Sequence, residues 1–292
     1  MKRLLSAIFG LLVFHTVNAQ EAMPFLRIDR NPVSISMGET VAVSPIFNPS
    51  VSAQKNSSSV MVSYSLWSPG KLKQNLIQSL GYFKIGNALS VNYMIADDIL
   101  PSYMITDDAG NETGSKFTPS NFIASIGVGY SINQFLSIGA TFNFANQKTT
   151  EKNSYSSFST NLFVNYTIKD FSATLGVVDL GPAVDGKYSL PTSVKAGALY
   201  ETNLGFNQLN TTLDFDYYFN GGISVGLGTE FILNGLYYFR AGGRISSKNA
   251  LIPSNMTTGL GIKLSKINID LSYIFLNRII GNSLSLGISY SF

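Results

Sequence analysis

Apolar and polar residues alternate along most of this chain, with the period of two that puts successive side chains on opposite faces of a β-strand. In NSLSLGISYSF, residues 282–292, one face carries small residues, mostly serine, and the other face is apolar. That apolar face consists of Leu284, Leu286, Ile288, Tyr290 and Phe292. Segments 223–231 and 267–275 follow the same pattern. The pattern predicts strands with one apolar face, which suits either a soluble β-sandwich or a lipid-facing barrel wall.

Segments of this kind follow one another from about residue 58, and most have the roughly 8 to 12 residues needed to cross a bilayer at a tilt. We place them at 59–66, 77–84, 87–96, 121–131, 135–146, 157–168, 171–179, 192–202, 209–219, 222–233, 236–246, 255–264, 267–276 and 282–292. We therefore predict an all-β fold for 58–292, a transmembrane antiparallel β-barrel of about 14 strands. Because an open edge in lipid would leave backbone groups unpaired, we expect the last strand to pair with the first.

The links between these segments alternate in length, as periplasmic turns and outer loops do in such barrels. Short links such as Ile85-Gly86 and Asn234-Gly235 alternate with long ones such as 97–120 and 180–191. Asn-Gly between two alternating runs is a strong hairpin signal, since both residues tolerate the positive φ of a type I′ turn. Two links depart from the alternation in length, 203–208 and 220–221.

The charged residues of the later strands fall on the face opposite the apolar one. By strand parity they are Lys195, Glu201, Asp214, Asp216, Glu230, Arg240, Arg244, Lys263 and Asp270. A charge on the lipid face would cost roughly 2 to 4 kcal/mol, so we predict that these side chains face the lumen. They either line a substrate path or neutralise one another. We favour pairing, with Arg240 and Arg244 neutralising Asp214 and Asp216.

Composition supports a membrane wall and removes several kinds of chemistry. The chain is 45% hydrophobic, 12% aromatic and only 13% charged, about half the charge of an ordinary soluble domain. It has no cysteine, and its one histidine is His15. We therefore predict no catalytic residue, no cofactor and no metal site built on thiolate or imidazole. Lysines and arginines are scattered singly, which argues against nucleic acid as a partner.

Residues 1–19 have the features of a cleavable secretion signal. Lys2 and Arg3 precede an apolar run, Leu4 to Phe14, that is too short to span a bilayer as a helix. Val17-Asn18-Ala19 then provides a cleavage site of small residues. Without this segment, 18 basic residues stand against 17 acidic ones and no histidine is left, so the mature chain is nearly neutral.

Residues 20–57 interrupt the strand pattern. They contain four prolines, too many for a central strand, together with several short apolar runs. These runs make the segment more apolar than a disordered tether. We therefore predict that residues 20–57 fold into the lumen as a plug.

Two features of the predicted outer links are candidates for contacts. Asp107, Asp108 and Asn111 carry the oxygen ligands that calcium prefers, but their spacing matches no complete loop signature. We favour an acidic surface turn there and predict no metal site. Trp67, the only tryptophan, is expected near the membrane surface, either in an aromatic girdle, which we favour, or against a partner.

The stretch FLRIDRNPVSISMGETVAVSPIFNPSV at 25–51 resembles the N-terminal plug motif of FadL-like barrels in the PorV and PorQ group. The shared features are an apolar start, a Met-Gly and an Asn-Pro preceded by an aromatic residue. Here they are Phe25, Leu26, Met37, Gly38, Phe47, Asn48 and Pro49. Three further stretches resemble the PorV-like members in particular, at 63–93, 106–131 and 177–201.

The resemblance implies a non-enzymatic component of the type IX protein secretion system in the outer membrane of Bacteroidetes-type bacteria. Such a barrel would sit in outer-membrane lipid and collect cargo that bears a C-terminal sorting domain from the translocon barrel. It would pass that cargo to a sortase-like surface attachment complex. The outer links, including Trp67, Asp107, Asp108 and Asn111, would face these partners.

The alternative interpretation is an outer-membrane transporter of hydrophobic solutes, as in the FadL barrels that give the fold its name. That function needs an apolar pocket and a lateral path through a kinked strand. Glycine-rich stretches such as Gly226-Leu227-Gly228 and Gly242-Gly243 permit either a kink or a close approach of backbone.

Overall fold

Most of the chain forms a single closed β-barrel. The computed structural model describes residues 21–45, 47–67, 74–107, 109–151, 153–250, 252–276 and 281–292, so the predicted signal sequence lies outside the described residues. Within that part of the chain, fourteen strands close into an antiparallel barrel and two more form a separate ribbon. The predicted all-β barrel of about 14 strands is confirmed.

The strands follow chain order around the barrel, except that the third pairs with the sixth across the ribbon. Their bounds are β1 Ser59–Trp67, β2 Gln74–Ile85, β3 Leu89–Ile99, β4 Tyr103–Thr106, β5 Glu112–Phe117, β6 Ser120–Ser131, β7 Leu136–Lys148, β8 Ser154–Ile168, β9 Phe171–Leu180, β10 Ser193–Leu204, β11 Asn207–Tyr218, β12 Ile223–Leu233, β13 Tyr237–Ser246, β14 Asn255–Leu264, β15 Ile267–Phe275 and β16 Ser283–Ser291. β16 closes the barrel on β1 in a register that joins Ser59 to Ser291 and Trp67 to Ser283. This seam satisfies the backbone groups that an open edge would leave unpaired in lipid.

The two faces of the wall differ as the alternation predicts. Outward-facing apolar side chains are exposed, for example Ile126 at 59% and Leu227 at 58%. Inward-facing positions hold buried small or polar side chains, such as Ser63 and Asn161, each 2% exposed. An apolar outer surface with a polar interior is the arrangement of a transmembrane barrel.

The links at the two ends of the barrel differ in length. At one end, here called the short-turn end, tight turns use left-handed backbone, as at Asn234 (φ 54°) and Gly235 (φ 66°). The link expected at 203–208 is also tight, because β10 and β11 run further than predicted and leave only Gly205 and Phe206 between them. The opposite, long-loop end carries the longer links, although β11 and β12 are joined there by only four residues.

The ribbon of β4 and β5 occupies the long link expected to be an acidic loop. The Asp107 carboxylate caps its turn by accepting from the backbone N–H of Ala109 at 3.0 Å and of Asn111 at 2.8 Å. Hydrogen bonds from Asn111 hold the pKa of Asp107 below its usual range. The turn interpretation therefore accounts for Asp107 and Asn111, while Asp108 lies outside the described residues.

Most of the described residues before β1, in 21–45 and 47–58, are buried against inward-facing positions of the wall, and we call these two ranges the lumen segment. Its chain enters at the long-loop end, where Ala22 N donates to Ser189 O at 2.9 Å. It leaves at the short-turn end, where Ser58 N donates to Phe292 O at 2.9 Å. The segment contains a 3₁₀ turn, Pro24–Arg27, and two short helices, α1 Pro32–Ser36 and α2 Pro49–Ser52.

Both short helices begin in the same way. Asn31 and Asn48 are the N-caps, and each side chain accepts from the backbone N–H two residues further on. A proline follows each asparagine, where its fixed φ suits the first helical position. In the described part of the chain, no helix is long and apolar enough to cross a membrane.

Candidate functional site

A row of inward-facing glycines in β12 and β13 receives the Met37-Gly38 turn of the lumen segment. A Cβ added to Gly228 would lie 2.3 Å from Met37 O, and one added to Gly242 would lie 2.5 Å from Gly38 N. Both distances are far below van der Waals contact, so only glycine lets the backbone of the segment touch the wall here. Gly38 itself has a φ of +76°, which favours glycine a second time.

A second group of glycines, on β6 and β7, receives the start of α2. A Cβ on Gly129 would lie 1.9 Å from Pro49 O, and one on Gly139 would lie 2.4 Å from Ser50 N. Beside them, Asn48 Nδ2 donates to Thr174 Oγ1 at 2.8 Å. The Met-Gly and Asn-Pro of the sequence motif are thus two of the points where the lumen segment touches glycine-lined wall.

The apolar residues of the motif fill the space between these two contacts and the long-loop end. Phe25 is 4% exposed and packs with Ala96, Ile123 and Leu190, and the partly buried Leu26 packs against the same cluster. Phe47 meets Phe163 edge to face, with ring centroids 5.8 Å apart. These contacts make the lumen segment an integral part of the barrel interior.

Arg244 binds the lumen segment and the wall together. Its Nη2 donates to Gly38 O at 3.0 Å and to Glu39 O at 2.8 Å, and its Nε lies 3.4 Å from Glu39 Oε2. Its Nη1 donates to Asp216 Oδ2, which also accepts from Lys195 Nζ at 3.1 Å. One buried guanidinium therefore satisfies two backbone carbonyls and one wall carboxylate.

The other predicted lumen charges are paired differently from the expectation. Asp214 is bound by the lumen segment, accepting from Thr40 Oγ1 and from Val41 N, the latter at 2.8 Å. Arg240 pairs with Glu230 at 2.5 Å and with Asp270 at 2.7 Å, and with neither Asp214 nor Asp216. Strand parity placed these side chains inside but could not show that the lumen segment supplies the donors for Asp214.

Two predicted residues lie at the ends of strands. Lys263 has inward parity but is exposed near the short-turn end of β14. Trp67 is the last residue of β1, at the long-loop end.

An ion pair between Arg30 and Asp98 was not foreseen. Arg30 Nη2 and Nε donate to the two oxygens of Asp98, at 2.8 and 3.1 Å. Arg30 O accepts from Ser63 Oγ at 3.0 Å and from Gln78 Nε2 at 2.7 Å. β3 was predicted to end at 96, three residues too early, and the parity of a longer strand would have placed Asp98 inside.

A cavity of about 90 Å³ remains between the lumen segment and the wall, in the half of the barrel nearer the long-loop end. Its apolar lining comes from both sides and comprises Leu26, Ile28, Val41, Phe47, Leu80, Met94, Ile123 and Val178. Its charged lining comprises Arg27, Asp29, Arg30, Glu39, Asp179 and Lys195. The cavity can hold a small solute with an apolar body and a polar end.

The wall is irregular beside this cavity. The pairing of β8 with β9 shifts register between Thr160 and Leu162, which forms a β-bulge. Asp179, in the bulge, has a φ of 55°, and its N–H donates to Asn161 Oδ1 at 2.8 Å. Bulges weaken the ladder locally and redirect side chains, so this is a defined interruption of the wall at the cavity.

Comparison with known proteins identifies the fold. No protein-family model and no curated protein matches the chain. Among solved structures, the toluene transporter TodX of Pseudomonas putida matches with a TM-score of 0.58 at 12% identity, over 90% of this chain and 98% of that one. A deltaS2S3 mutant of the TodX monoaromatic hydrocarbon channel matches with a TM-score of 0.59 at 11% identity, over 89% of this chain and 98% of that one.

At such identity the likeness concerns the fold alone. The chain has the fold of a FadL-like barrel of 14 strands, a type consistent with an outer-membrane location. The comparisons include nothing specific to PorV-like barrels.

Proposed function

We propose that this protein is a non-enzymatic outer-membrane barrel that takes up small solutes with apolar bodies. The observation that carries the proposal is the cavity between the lumen segment and the wall, whose lining exposes more apolar than polar surface and which lies beside the β9 bulge. The fold shared with TodX supports the same class of function. This was the alternative interpretation of the sequence.

The geometry favours a lateral route over an axial one. Below the cavity, the lumen segment is anchored to the wall by the two glycine contacts and by Arg244. An axial path would require those contacts to break. A solute in the cavity instead lies next to the irregular pairing of β8 and β9, and local opening of that pairing would give it a path to the bilayer.

An uptake experiment tests this function. Cells that lack the protein and cells complemented with it are compared for the initial rate of uptake of labelled toluene. We expect uptake to fall in the deletion strain and to return on complementation. A cavity-filling variant, Ile123→Trp, should not restore uptake, whereas Ile126→Trp, three residues along β6 and facing outward, should restore it. Equal uptake in all four strains would refute the proposal.

A second candidate is the PorV-like role in type IX secretion. It is supported by the sequence resemblance and by the exposed ribbon of β4 and β5 at the long-loop end, whose outer edges are unpaired within the described residues. Unpaired strand edges are templates for adding a strand from a partner, such as a cargo sorting domain, the translocon barrel or the attachment complex.

Comparison of the secretome and surface proteome of the deletion strain with those of its parent separates the two candidates. Retention of proteins with C-terminal sorting domains in the periplasm would support the secretion role. Normal secretion together with lost toluene uptake would support the transporter function and exclude the secretion role.

A further inference from the structure

The basic side chains that line the cavity are all paired with acidic groups outside the lining. Each of the three forms an ion pair: Arg27 with Glu21 at 2.6 Å, Arg30 with Asp98 at 2.8 Å and Lys195 with Asp216 at 3.1 Å. Nε and Nη1 of Arg27 have no hydrogen-bond partner among the residues that the structure describes, but both atoms are buried and so are not offered to a solute. Within that part of the chain, the cavity therefore presents no free cation to an anionic ligand.

The acidic side chains that line the cavity are less well matched. Glu39 Oε2 lies 3.4 Å from Arg244 Nε, which is shared with other acceptors. Among the residues that the structure describes, Asp29 and Asp179 form no ion pair. Asp29 Oδ1 accepts from Asn31 N at 2.8 Å, and the one hydrogen bond that Asp179 Oδ1 accepts from the described residues comes from Ser159 Oγ, at 3.4 Å.

Asp179 is the more unusual of the two because it is only 6% exposed and lines the cavity at the wall bulge. Its Oδ2 has no hydrogen-bond partner among the described residues, and Lys195 and Arg27, the basic groups that share the cavity and act on it electrostatically, are paired with Asp216 and Glu21. A buried carboxylate without a cationic partner is costly unless a proton or a ligand neutralises it. Apolar side chains, including its neighbour Val178, surround the same space.

We propose that the cavity binds a small organic cation, an alkylammonium ion whose charged end sits at Asp179 and whose apolar chain lies against Val178 and Ile123. The proposal rests on the proposed uptake function, since it names the class of solute that the same cavity takes. The ammonium group would donate to the free oxygen of Asp179, and Asp29 lines the same cavity from the side of the lumen segment as a second acidic group. Neither a neutral hydrocarbon nor a carboxylate would neutralise these groups.

The test uses the purified protein in detergent and three probes with the same four-carbon chain, n-butylammonium, n-butanol and butyrate, titrated by calorimetry at pH 7. We expect n-butylammonium to bind at least tenfold more tightly than the other two. Asp179→Asn should weaken its binding by tenfold or more, and Asp29→Asn should weaken it less. Asp185→Asn is the matched control, because Asp185 is exposed in the next link and, like Asp179, has a positive φ, which asparagine tolerates.

The proposal would be overturned if n-butylammonium did not bind, or if the three probes bound equally well. It would also be overturned if n-butylammonium bound unchanged to an Asp179→Asn variant whose shift in gel mobility on heating shows that it is folded. Failure of this proposal can be distinguished from failure of the proposed uptake function. Toluene uptake without ammonium binding would leave the uptake function and remove the cation site. Ammonium binding together with unchanged toluene uptake in the deletion strain would leave the cation site and remove the uptake function.

Discussion

The glycine contact at Met37-Gly38 gives the sharpest prediction, tested by Gly242→Ala. The added Cβ would lie 2.5 Å from Gly38 N and 2.7 Å from Met37 C, where ordinary contact begins at 3.4 Å, so the turn must move by about 1 Å. Such a shift pulls the turn from Arg244, whose bonds to Gly38 O and Glu39 O are 3.0 and 2.8 Å long. Overpacking costs about 1 to 3 kcal/mol and a charged hydrogen bond about 1.5 to 3.

Because part of this strain is relieved by movement, we expect the free energy of opening the lumen segment to fall by about 2 to 4 kcal/mol. Hydrogen exchange followed by mass spectrometry measures that opening directly on the protein in detergent. Peptides covering 33–45 should exchange about 30 to 1,000 times faster in the variant, because each 1.4 kcal/mol is a factor of ten. Peptides from the barrel strands should change little.

The neighbouring substitution Gly243→Ala is the matched control. Gly243 belongs to the same strand but has the opposite parity, and its nearest contacts are Asn255 O at 3.0 Å and Met256 Cα, both in the adjacent strand. Faster exchange of 33–45 in both variants would mean that strand geometry, rather than contact with the segment, controls the opening. Unchanged exchange in Gly242→Ala would refute the packing argument.

Three further predictions concern buried and capping polar groups. Arg30→Met alone should destabilise the barrel by about 3 to 5 kcal/mol in thermal or denaturant unfolding, because it leaves Asp98 buried without its partner. Arg30→Met combined with Asp98→Leu should recover most of that stability. Equal losses of stability in the single and the double variant would contradict the pairing. Asn48→Ala should lower stability by about 1 kcal/mol for the lost helix cap, and further for the lost hydrogen bond to Thr174. Asn48→Asp should restore the cap but not the bond to Thr174, and hydrogen exchange at 47–53 would distinguish the two variants. Asp107→Ala should speed exchange at 109–111 without affecting the barrel, and no change there would show that the carboxylate does not hold the turn.

The sequence was most informative where one physical requirement controls many residues. A strand that separates lipid from an interior must alternate, so the fourteen barrel strands and the inward position of Asp216 and Arg244 follow from parity. The errors in placing the barrel strands arose at strand ends. β3 extends to Ile99, and the boundary set at 96 hid Asp98, while β10 and β11 extend into 203–208 because only Gly205 and Phe206 are needed for the turn.

Contacts between the lumen segment and the wall could not be read from the chain in the same way. Residues 37 and 242 are far apart in sequence, and the glycines of β12 and β13 are equally compatible with a kink and with close packing. Only the contacts of these glycines with Met37 and Gly38, which the structure shows, distinguish close packing from a kink. The donors to Asp214 come from the lumen segment as well, which is why pairing it with an arginine of the neighbouring strands was the wrong expectation.

The ribbon of β4 and β5 escaped prediction for a different reason. Its residues from Glu112 to Lys116 are exposed on both faces, so no burial imposes an alternation of apolar and polar residues. Turn residues such as Asp107 and Gly110 then dominate the local signal. Hydrogen bonds between the strands, rather than a buried face, define this element.

The path of the lumen segment has a consequence for biogenesis. The segment precedes β1 in the chain, yet α1 contacts β14, β15 and β16, the strands made last. The first-made part of the protein can therefore complete its docking only after the last-made strands are in place. A chain that stalls before β16 would therefore keep the wall contacts of α2 but lack part of the wall against which α1 packs.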